Sequence, residues 1–145
     1  MEQIEWLKML SYQQELHHFS RTLLAQSQKQ TLTASERELP ARLYLEPNGA
    51  TPLALSKASG MKKEAVSRCL KALFEKGYIQ KEKHPQDERS YILYLTQSGQ
   101  AELRQSYSVI LQPLYDLRRR MGPEFDSLFT LICQANEQAE QNDKT

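Results

Sequence analysis

Apolar residues recur at intervals of three and four near both ends of the chain. They follow this spacing from Ile4 to about Gln28, from Leu103 to Met121, and from Phe125 to Ala135. Such intervals place apolar side chains on one face of a helix. The pattern therefore predicts one long amphipathic helix near the N-terminus and two near the C-terminus, separated by Gly122-Pro123.

Capping and turn signals divide the middle of the chain. Thr33 to Glu36 has the T-x-x-E pattern of a capping box, in which the threonine hydroxyl accepts a backbone hydrogen bond and the glutamate reaches back. A helix is expected from there to about Leu45, followed by a turn at Glu46–Gly49. Thr51-Pro52 combines an N-cap hydroxyl with a proline at the first helical position, and Ser59-Gly60 ends that helix within two turns.

Two prolines and a polar tail modify the predicted helices. Pro40 is expected to interrupt the helix that begins near Thr33, because proline cannot donate a backbone hydrogen bond. For the same reason Pro113 is expected to bend the helix between Leu103 and Met121. The polar segment from Glu137 onward is expected to fray.

A helix-turn-helix and a hairpin follow the short helix. The second helix is expected over residues 62–76 and ends at Gly77, and two helices joined around a glycine are typical of a helix-turn-helix. After Gly77 the pattern alternates, which predicts strands at Tyr78–Lys83 and Tyr91–Leu95. The polar loop between them, His84–Ser90, forms the tip of a predicted wing.

These elements predict a mainly α-helical fold with a small β-hairpin, a winged helix-turn-helix. The expected organisation is an N-terminal dimerisation helix at 1–31, a DNA-binding domain at 32–98, and C-terminal dimerisation helices with a polar tail at 99–145. The terminal helices carry more apolar surface than one small domain can cover, which predicts a homodimer. The residues that indicate this are Trp6, Leu10, Leu114, Leu128 and Ile132.

Charge is distributed unevenly, although the whole chain has a net charge of only +1. Between Thr51 and Leu95 nine basic residues face five acidic ones, a net charge of +4, and the rest of the chain has −3. A basic middle between acidic ends is the pattern of a protein with a local anionic partner, such as double-stranded DNA.

The second helix of the helix-turn-helix has two chemically distinct faces. Apolar residues, Ala65, Val66, Cys69, Leu70, Leu73 and Phe74, share one face, and Glu64, Ser67, Arg68, Lys71 and Glu75 share the other. The first face is suited to anchoring the helix in a core. Long polar side chains in the N-terminal half of the second face can reach base edges in a major groove.

Cations stand at the start of this helix and at the wing tip. Lys62 and Lys63 occupy the positive end of the helix dipole, where each is unfavourable by roughly 0.3–1 kcal/mol. Phosphate binding at the helix N-terminus explains this pair better than stability does. Arg89 either enters the minor groove or contacts phosphates, or it pairs with Asp87 to shape the loop. The candidate DNA-binding residues are Thr51, Lys62, Lys63, Glu64, Ser67, Arg68, Lys71 and Arg89.

The run from Gly60 to Ile79 resembles the recognition helix of the MarR family of regulators. Asp87-Glu88-Arg89, followed by Leu95-Thr96 and Gly99, is similar to that family's wing pattern, D-x-R with a following L-T-x-x-G. The resemblance implies a homodimer that binds a pseudo-palindromic operator, most often as a repressor, and whose DNA affinity a small ligand or an oxidant modulates. Two positions depart from the family pattern: Lys62 replaces a small capping residue, and Pro40 lies inside a helix.

Other functional classes have little support in the sequence. Cys69 and Cys133 lack the spacing of a disulfide framework or a zinc site, and both are expected to be largely buried structural thiols. His17 and His18 point about 100° apart on a helix, so no metal or cofactor is expected. No catalytic motif is present, so the chain is not expected to be an enzyme.

The sequence also bears on the location of the protein in the cell and on the class of its partner. Acidic residues replace the basic start of a secretory signal and no apolar run can span a bilayer, so a cytoplasmic protein without membrane contact is expected. The alternative to a DNA-binding regulator is a winged-helix module that binds another protein. The Lys62–Lys63 pair and Arg89 favour DNA.

Overall fold

The computed structural model describes residues 2–24 and 33–142, which form seven helices and a two-stranded antiparallel sheet. The elements are α1 (Glu2–Leu23), α2 (Ala34–Tyr44), α3 (Pro52–Ser59), α4 (Lys63–Glu75), β1 (Ile79–Lys83), β2 (Tyr91–Leu95), α5 (Gln97–Ile110), α6 (Gln112–Met121) and α7 (Glu124–Asn142). The mainly helical fold with a hairpin wing is confirmed. The chain divides into a winged-helix unit, made of α2 to α5 with the hairpin, and a terminal unit, made of α1, α6 and α7.

Helix α2 begins as its cap predicts. The Thr33 hydroxyl accepts a hydrogen bond from the Glu36 amide at 3.1 Å. The predicted return contact of the capping box is wrong, because the Glu36 carboxylate accepts a hydrogen bond from Lys76 Nζ at 2.9 Å instead. This ion pair connects the start of α2 to the end of α4.

Helix α2 continues through Pro40 without interruption, so the predicted break is wrong. Pro40 has no amide proton, so it cannot donate the usual hydrogen bond to the carbonyl four residues earlier. That carbonyl belongs to the first turn of the helix. The Pro40 ring is itself almost completely buried, together with Leu39. Leu45, which was expected to end the helix, is its C-cap residue and is exposed.

The turn between α3 and α4 is fixed by short hydrogen bonds. Gly60 ends α3 with a φ of +71°, a left-handed conformation that glycine adopts readily. The Ser56 hydroxyl donates to the Met61 carbonyl at 2.9 Å, and the Met61 amide donates to the Ser59 hydroxyl at 3.2 Å. These bonds satisfy polar groups of the turn and hold α4 at a defined angle to α3.

The core of the winged-helix unit lies where α2, α3, α4 and the hairpin meet. Burying a leucine side chain completely contributes about 1.5–3 kcal/mol, so this cluster supplies much of the stability of the unit. The buried cluster contains Leu39, Leu43, Leu55, Val66, Leu70, Leu73, Ile79 and Leu93.

The hairpin pairs Ile79 with Leu95 and Lys83 with Tyr91. A short third segment extends it, because Ala50 exchanges two backbone hydrogen bonds with Leu93, at 3.2 and 2.8 Å. This bridge, which the sequence did not indicate, fixes the entrance to α3 against the wing.

Thr96 and Gly99 join the wing to the helices that flank it. The Thr96 hydroxyl donates to the Gly77 carbonyl at 2.7 Å and accepts from the Gly99 amide at 3.0 Å. The Thr96 amide donates to the Tyr78 carbonyl at 3.0 Å. A methyl group added to Gly99 would overlap the Tyr78 carbonyl oxygen, so only glycine allows this close approach.

Several boundaries in the terminal segments differ from the sequence prediction. Helix α1 ends at Leu23, and the predicted end near Gln28 lies outside the described residues. The long helix predicted up to Met121 is divided at Leu111 into α5 and α6, because Pro113 cannot donate a hydrogen bond and the amides of Leu114 and Tyr115 bind the Leu111 carbonyl. From Glu137 the chain continues α7 to Asn142, and residues 143–145 of the predicted polar tail lie outside the described residues.

The two cysteines differ in exposure. Cys69 is half-buried against the core, as predicted for the inner face of α4. Cys133 is exposed, so its predicted burial is wrong.

The joint at Gly99 generates a stability prediction. Gly99→Ala should lower the free energy of unfolding by about 3 kcal/mol, since the new methyl group meets a backbone carbonyl that cannot move aside. Gly60→Ala is the matched control, because nothing lies within 4 Å of its added methyl group and only its positive φ is unfavourable, by about 1 kcal/mol. Urea denaturation measures both, and an equal loss for the two variants would contradict the account.

The cysteines generate a reactivity prediction. Burial raises the pKa of the Cys69 thiol, the Glu36 carboxylate raises it further, and Arg68 opposes the shift. Because the thiolate is the nucleophile, iodoacetamide at about pH 8 should alkylate Cys133 about tenfold faster than Cys69. Peptide mass spectrometry of quenched time points gives both rates. Faster modification of Cys69 would show that its environment activates the thiol.

Candidate nucleic-acid interface

Helix α4 presents one buried and one exposed face, as its sequence predicts. Val66, Leu70 and Leu73 are buried in the core. The opposite side carries the polar candidate residues. Lys62, Lys63, Glu64, Ser67, Arg68 and Lys71 are all exposed.

The N-terminus of α4 differs from the starts of α2 and α3. Thr33 and Thr51 cap those helices with a hydroxyl, whereas Lys62, the N-cap of α4, makes no side-chain capping hydrogen bond to any described residue. The first backbone hydrogen bond of the helix runs from the Val66 amide to the Lys62 carbonyl at 3.0 Å. The amides of the first turn therefore remain available, and their partial positive charge favours an anion.

The cations of α4 have no carboxylate partner within the described part of the chain. The three ion pairs found there join Arg42 to Glu38, Lys76 to Glu36 and Arg119 to Asp116. The exposed cations Lys62, Lys63, Arg68 and Lys71 are absent from these pairs. Their charge is consequently available to an external anion.

Thr51 lies at the start of α3 rather than on α4. Its hydroxyl oxygen accepts a hydrogen bond from the Ala54 amide at 3.1 Å, and the side chain is half-buried. A hydroxyl that accepts one bond still has a proton to donate. Thr51 can therefore cap α3 and donate to a phosphate oxygen at the same time.

The wing loop is held by its own backbone and by Asp87. The Asp87 carboxylate accepts a hydrogen bond from the Arg89 amide at 3.0 Å, and the Asp87 carbonyl accepts one from the Ser90 amide at 3.1 Å. Asp87 thus shapes the loop through the Arg89 backbone. Among the described residues the Arg89 guanidinium has no ion-pair partner, and the side chain is exposed.

His84 begins the loop and was not identified from the sequence. Its Nδ1 atom accepts hydrogen bonds from the amides of Gln86 and Asp87, at 3.1 and 3.2 Å. Serine, threonine, asparagine and aspartate are the usual acceptors in such turns, so a histidine at this position gave no signal.

Lys81 connects the wing to the end of α4. Its ammonium group lies 5.2 Å from the ring centre of Tyr91 and 6.0 Å from that of Phe74. Two aromatic faces attract one cation in this arrangement. The base of the wing is thereby tied to the helix that carries the candidate residues.

Other kinds of site have no counterpart in the described residues. Within residues 2–24 and 33–142, no three histidine, cysteine or acidic side chains are grouped closely enough to hold a metal ion. In the same part of the chain, every helix is too short or too polar to cross a membrane.

Comparison with known proteins finds a family model that matches part of the chain. A model of the MarR family matches residues 32–91. No curated protein sequence matches the chain significantly.

Solved structures match most of the chain. A MarR family transcription regulator has a TM-score of 0.68 at 19% identity, over 97% of this chain and 93% of its own. The transcriptional repressor CouR, bound to a 23-mer DNA duplex, has a TM-score of 0.65 at 21% identity, over 87% and 89%. A MarR/EmrR family transcriptional regulator from Acinetobacter sp. ADP1 has a TM-score of 0.63 at 25% identity, over 97% and 96%. Residues 32–91 thus resemble the MarR family in sequence, and the solved structures show that the chain shares the fold of MarR-family regulators.

Proposed function

We propose that this chain binds double-stranded DNA in a sequence-specific manner, as a homodimer, and represses transcription in the cytoplasm without catalysing a reaction. The observation that carries the proposal is the exposed face of α4 and its N-cap, where four cations lie opposite a buried apolar face and pair with no carboxylate of the described residues. The structural match to CouR bound to DNA supports the same use of this fold.

Within the proposed complex, α4 enters the major groove. Ser67 and Arg68 lie about one turn inside the helix, where side chains reach base edges. Arginine makes two hydrogen bonds to guanine in the groove, which gives sequence discrimination. Glu64 and Lys71 lie on the same exposed side and complete the surface that faces the DNA.

Phosphate contacts surround this central surface. The free amides of the first turn of α4, together with Lys62 and Lys63, bind one phosphate segment. The Thr51 hydroxyl donates to a neighbouring phosphate. Arg89 on the wing reaches the minor groove or its phosphates.

The dimer places two such surfaces on one duplex. Trp6 is 62% exposed on α1 and Leu131 is 63% exposed on α7, within the terminal unit. Such apolar surface is unfavourable in water and favours burial against a second copy. A two-fold dimer matches a pseudo-palindromic operator, with half-sites one helical turn apart.

The same proposal assigns the segments of the chain. Residues 1–31 and 99–145 contribute the dimerisation helices, and residues 32–98 contribute the DNA-binding domain. A small-molecule effector that binds one conformation of the dimer better than another would shift its DNA affinity.

The proposed roles of two basic residues can be separated by mutation. Arg68→Ala should weaken binding to the operator by about 1–3 kcal/mol per half-site and weaken binding to a scrambled duplex much less. Lys63→Ala should weaken both complexes alike and lower the salt slope by about one unit per lost contact. The operator duplex is obtained by selection from a random-sequence pool, and binding is measured over a range of salt concentrations.

Two outcomes of this experiment decide against the proposal. If Arg68→Ala weakens both duplexes equally, Arg68 contacts phosphate and sequence is recognised elsewhere. If wild-type protein selects no duplex and shows no salt-dependent binding to DNA, DNA recognition is excluded. The alternative, a winged helix that binds another protein, then replaces it.

The proposed dimer also has a direct test. Light scattering at tens of micromolar should give twice the mass of one chain. Trp6→Glu should shift the protein toward the monomer, since a carboxylate buried at the interface has no compensating partner. Leu53→Glu is the control, because Leu53 is similarly exposed, at 53%, but lies on α3 in the winged-helix unit. A wild-type monomer, or an equal response to both substitutions, would disprove the assignment.

A further inference from the structure

The wing loop depends on an acceptor atom that can be protonated. His84 Nδ1 accepts hydrogen bonds from the backbone amides of Gln86 and Asp87, at 3.1 and 3.2 Å. A neutral imidazole has one nitrogen that can accept, whereas an imidazolium donates from both nitrogens and accepts from neither. Both hydrogen bonds therefore require His84 to be neutral with its proton on Nε2.

These two bonds position the rest of the loop. The His84 amide donates to the Ser90 carbonyl at 3.3 Å and closes the loop at its base. Asp87, whose amide is bound by His84, in turn binds the amides of Arg89 and Ser90. The direction of the Arg89 side chain thus depends on the His84 ring through one intermediate residue.

We propose that His84 is a positioning residue of the DNA-binding surface, which orders the wing only while Nδ1 is unprotonated, so that acidification weakens operator binding. The inference rests on the proposed DNA-binding function, to which it adds regulation by pH. Imidazole is the side chain that changes its charge between about pH 5 and 8, the range in which such a device operates.

Charged groups of both signs lie around His84. Arg42 and Glu46 line the same hollow of about 450 Å³ as His84, and Arg42 Nε is already bonded to Glu38 at 3.2 Å. Lys83 precedes His84, and the loop carries Glu88 beside Asp87 and Arg89. An amide released by His84 bonds to water, and the loop loses its fixed conformation.

The predicted change of DNA affinity on acidification is opposite to the change expected from net charge alone. Protonation adds positive charge to a protein, and added positive charge strengthens attraction to phosphates. A histidine without a structural role would therefore make DNA binding tighter at low pH. Weaker binding at low pH requires that protonation disrupts part of the contact surface.

Two substitutions at His84 distinguish the effect of losing the hydrogen-bond acceptor from the effect of gaining a positive charge. His84→Asn retains an oxygen that can accept both amides but cannot be protonated in this range, as in an Asx turn. It should keep tight binding to the selected operator at about pH 8 and about pH 5.5. His84→Leu removes the acceptor and should bind the operator about tenfold more weakly at both pH values. Wild-type protein should show this weaker binding only at the lower pH.

The matched control is Gln86→Ala in the same loop, which keeps His84 and both backbone amides and should retain the wild-type loss of affinity on acidification. The inference is overturned if His84→Asn shows the same pH profile as wild-type protein, or if wild-type binding tightens at low pH.

A measurement without DNA separates this inference from the proposed function. Amide hydrogen exchange of the full chain, followed by NMR, should show that the Gln86 and Asp87 amides lose protection at about pH 5.5, relative to their intrinsic rates, in wild-type protein but not in His84→Asn. Unchanged protection in wild-type protein would refute the role of His84, even if the protein binds DNA. If exchange responds as expected and no duplex is bound, the wing mechanism holds and DNA binding fails.

Discussion

The packing of α4 on the core determines where the candidate DNA-binding residues of that helix lie. Val66, Leu70 and Leu73 are held among leucines from α2, α3 and β2, so rotation of α4 about its axis would expose apolar surface. Because successive side chains of a helix point about 100° apart around its axis, fixing three buried residues also fixes the directions of the exposed ones. The orientation of Arg68 toward solvent is a consequence of the burial of Leu70.

The wing is fixed by polar contacts of the backbone more than by a core of its own. Leu93 is buried and its backbone pairs with Ala50, while Thr96 binds the Gly77 carbonyl at the other end of the hairpin. A two-stranded hairpin is marginally stable alone in water, so these attachments hold it in place. The tip beyond them is shaped by the hydrogen bonds that His84 and Asp87 accept from backbone amides of the loop.

Local patterns in the sequence predicted most elements of the winged-helix unit and both faces of α4. The two threonine caps and the glycine ends were correct because they act within a few residues of one another. One error arose where a distant residue decides, since Lys76 binds the Glu36 carboxylate that the capping box was expected to use. The exposure of Cys133 on α7 also differs from the prediction. The role of His84 could not be predicted, because it depends on the orientation of the imidazole ring. The spacing of residues in a sequence does not indicate that orientation.

The central claim is that the exposed face of α4 and the wing bind DNA in two symmetric copies. Hydroxyl-radical footprinting of the selected duplex tests it most directly, because it maps protected backbone on both strands. The account predicts two protected segments, centred about 10 base pairs apart and related by two-fold symmetry, each extending into the adjacent minor groove. A single unsymmetrical footprint, or uniform cleavage at saturating protein, would contradict it.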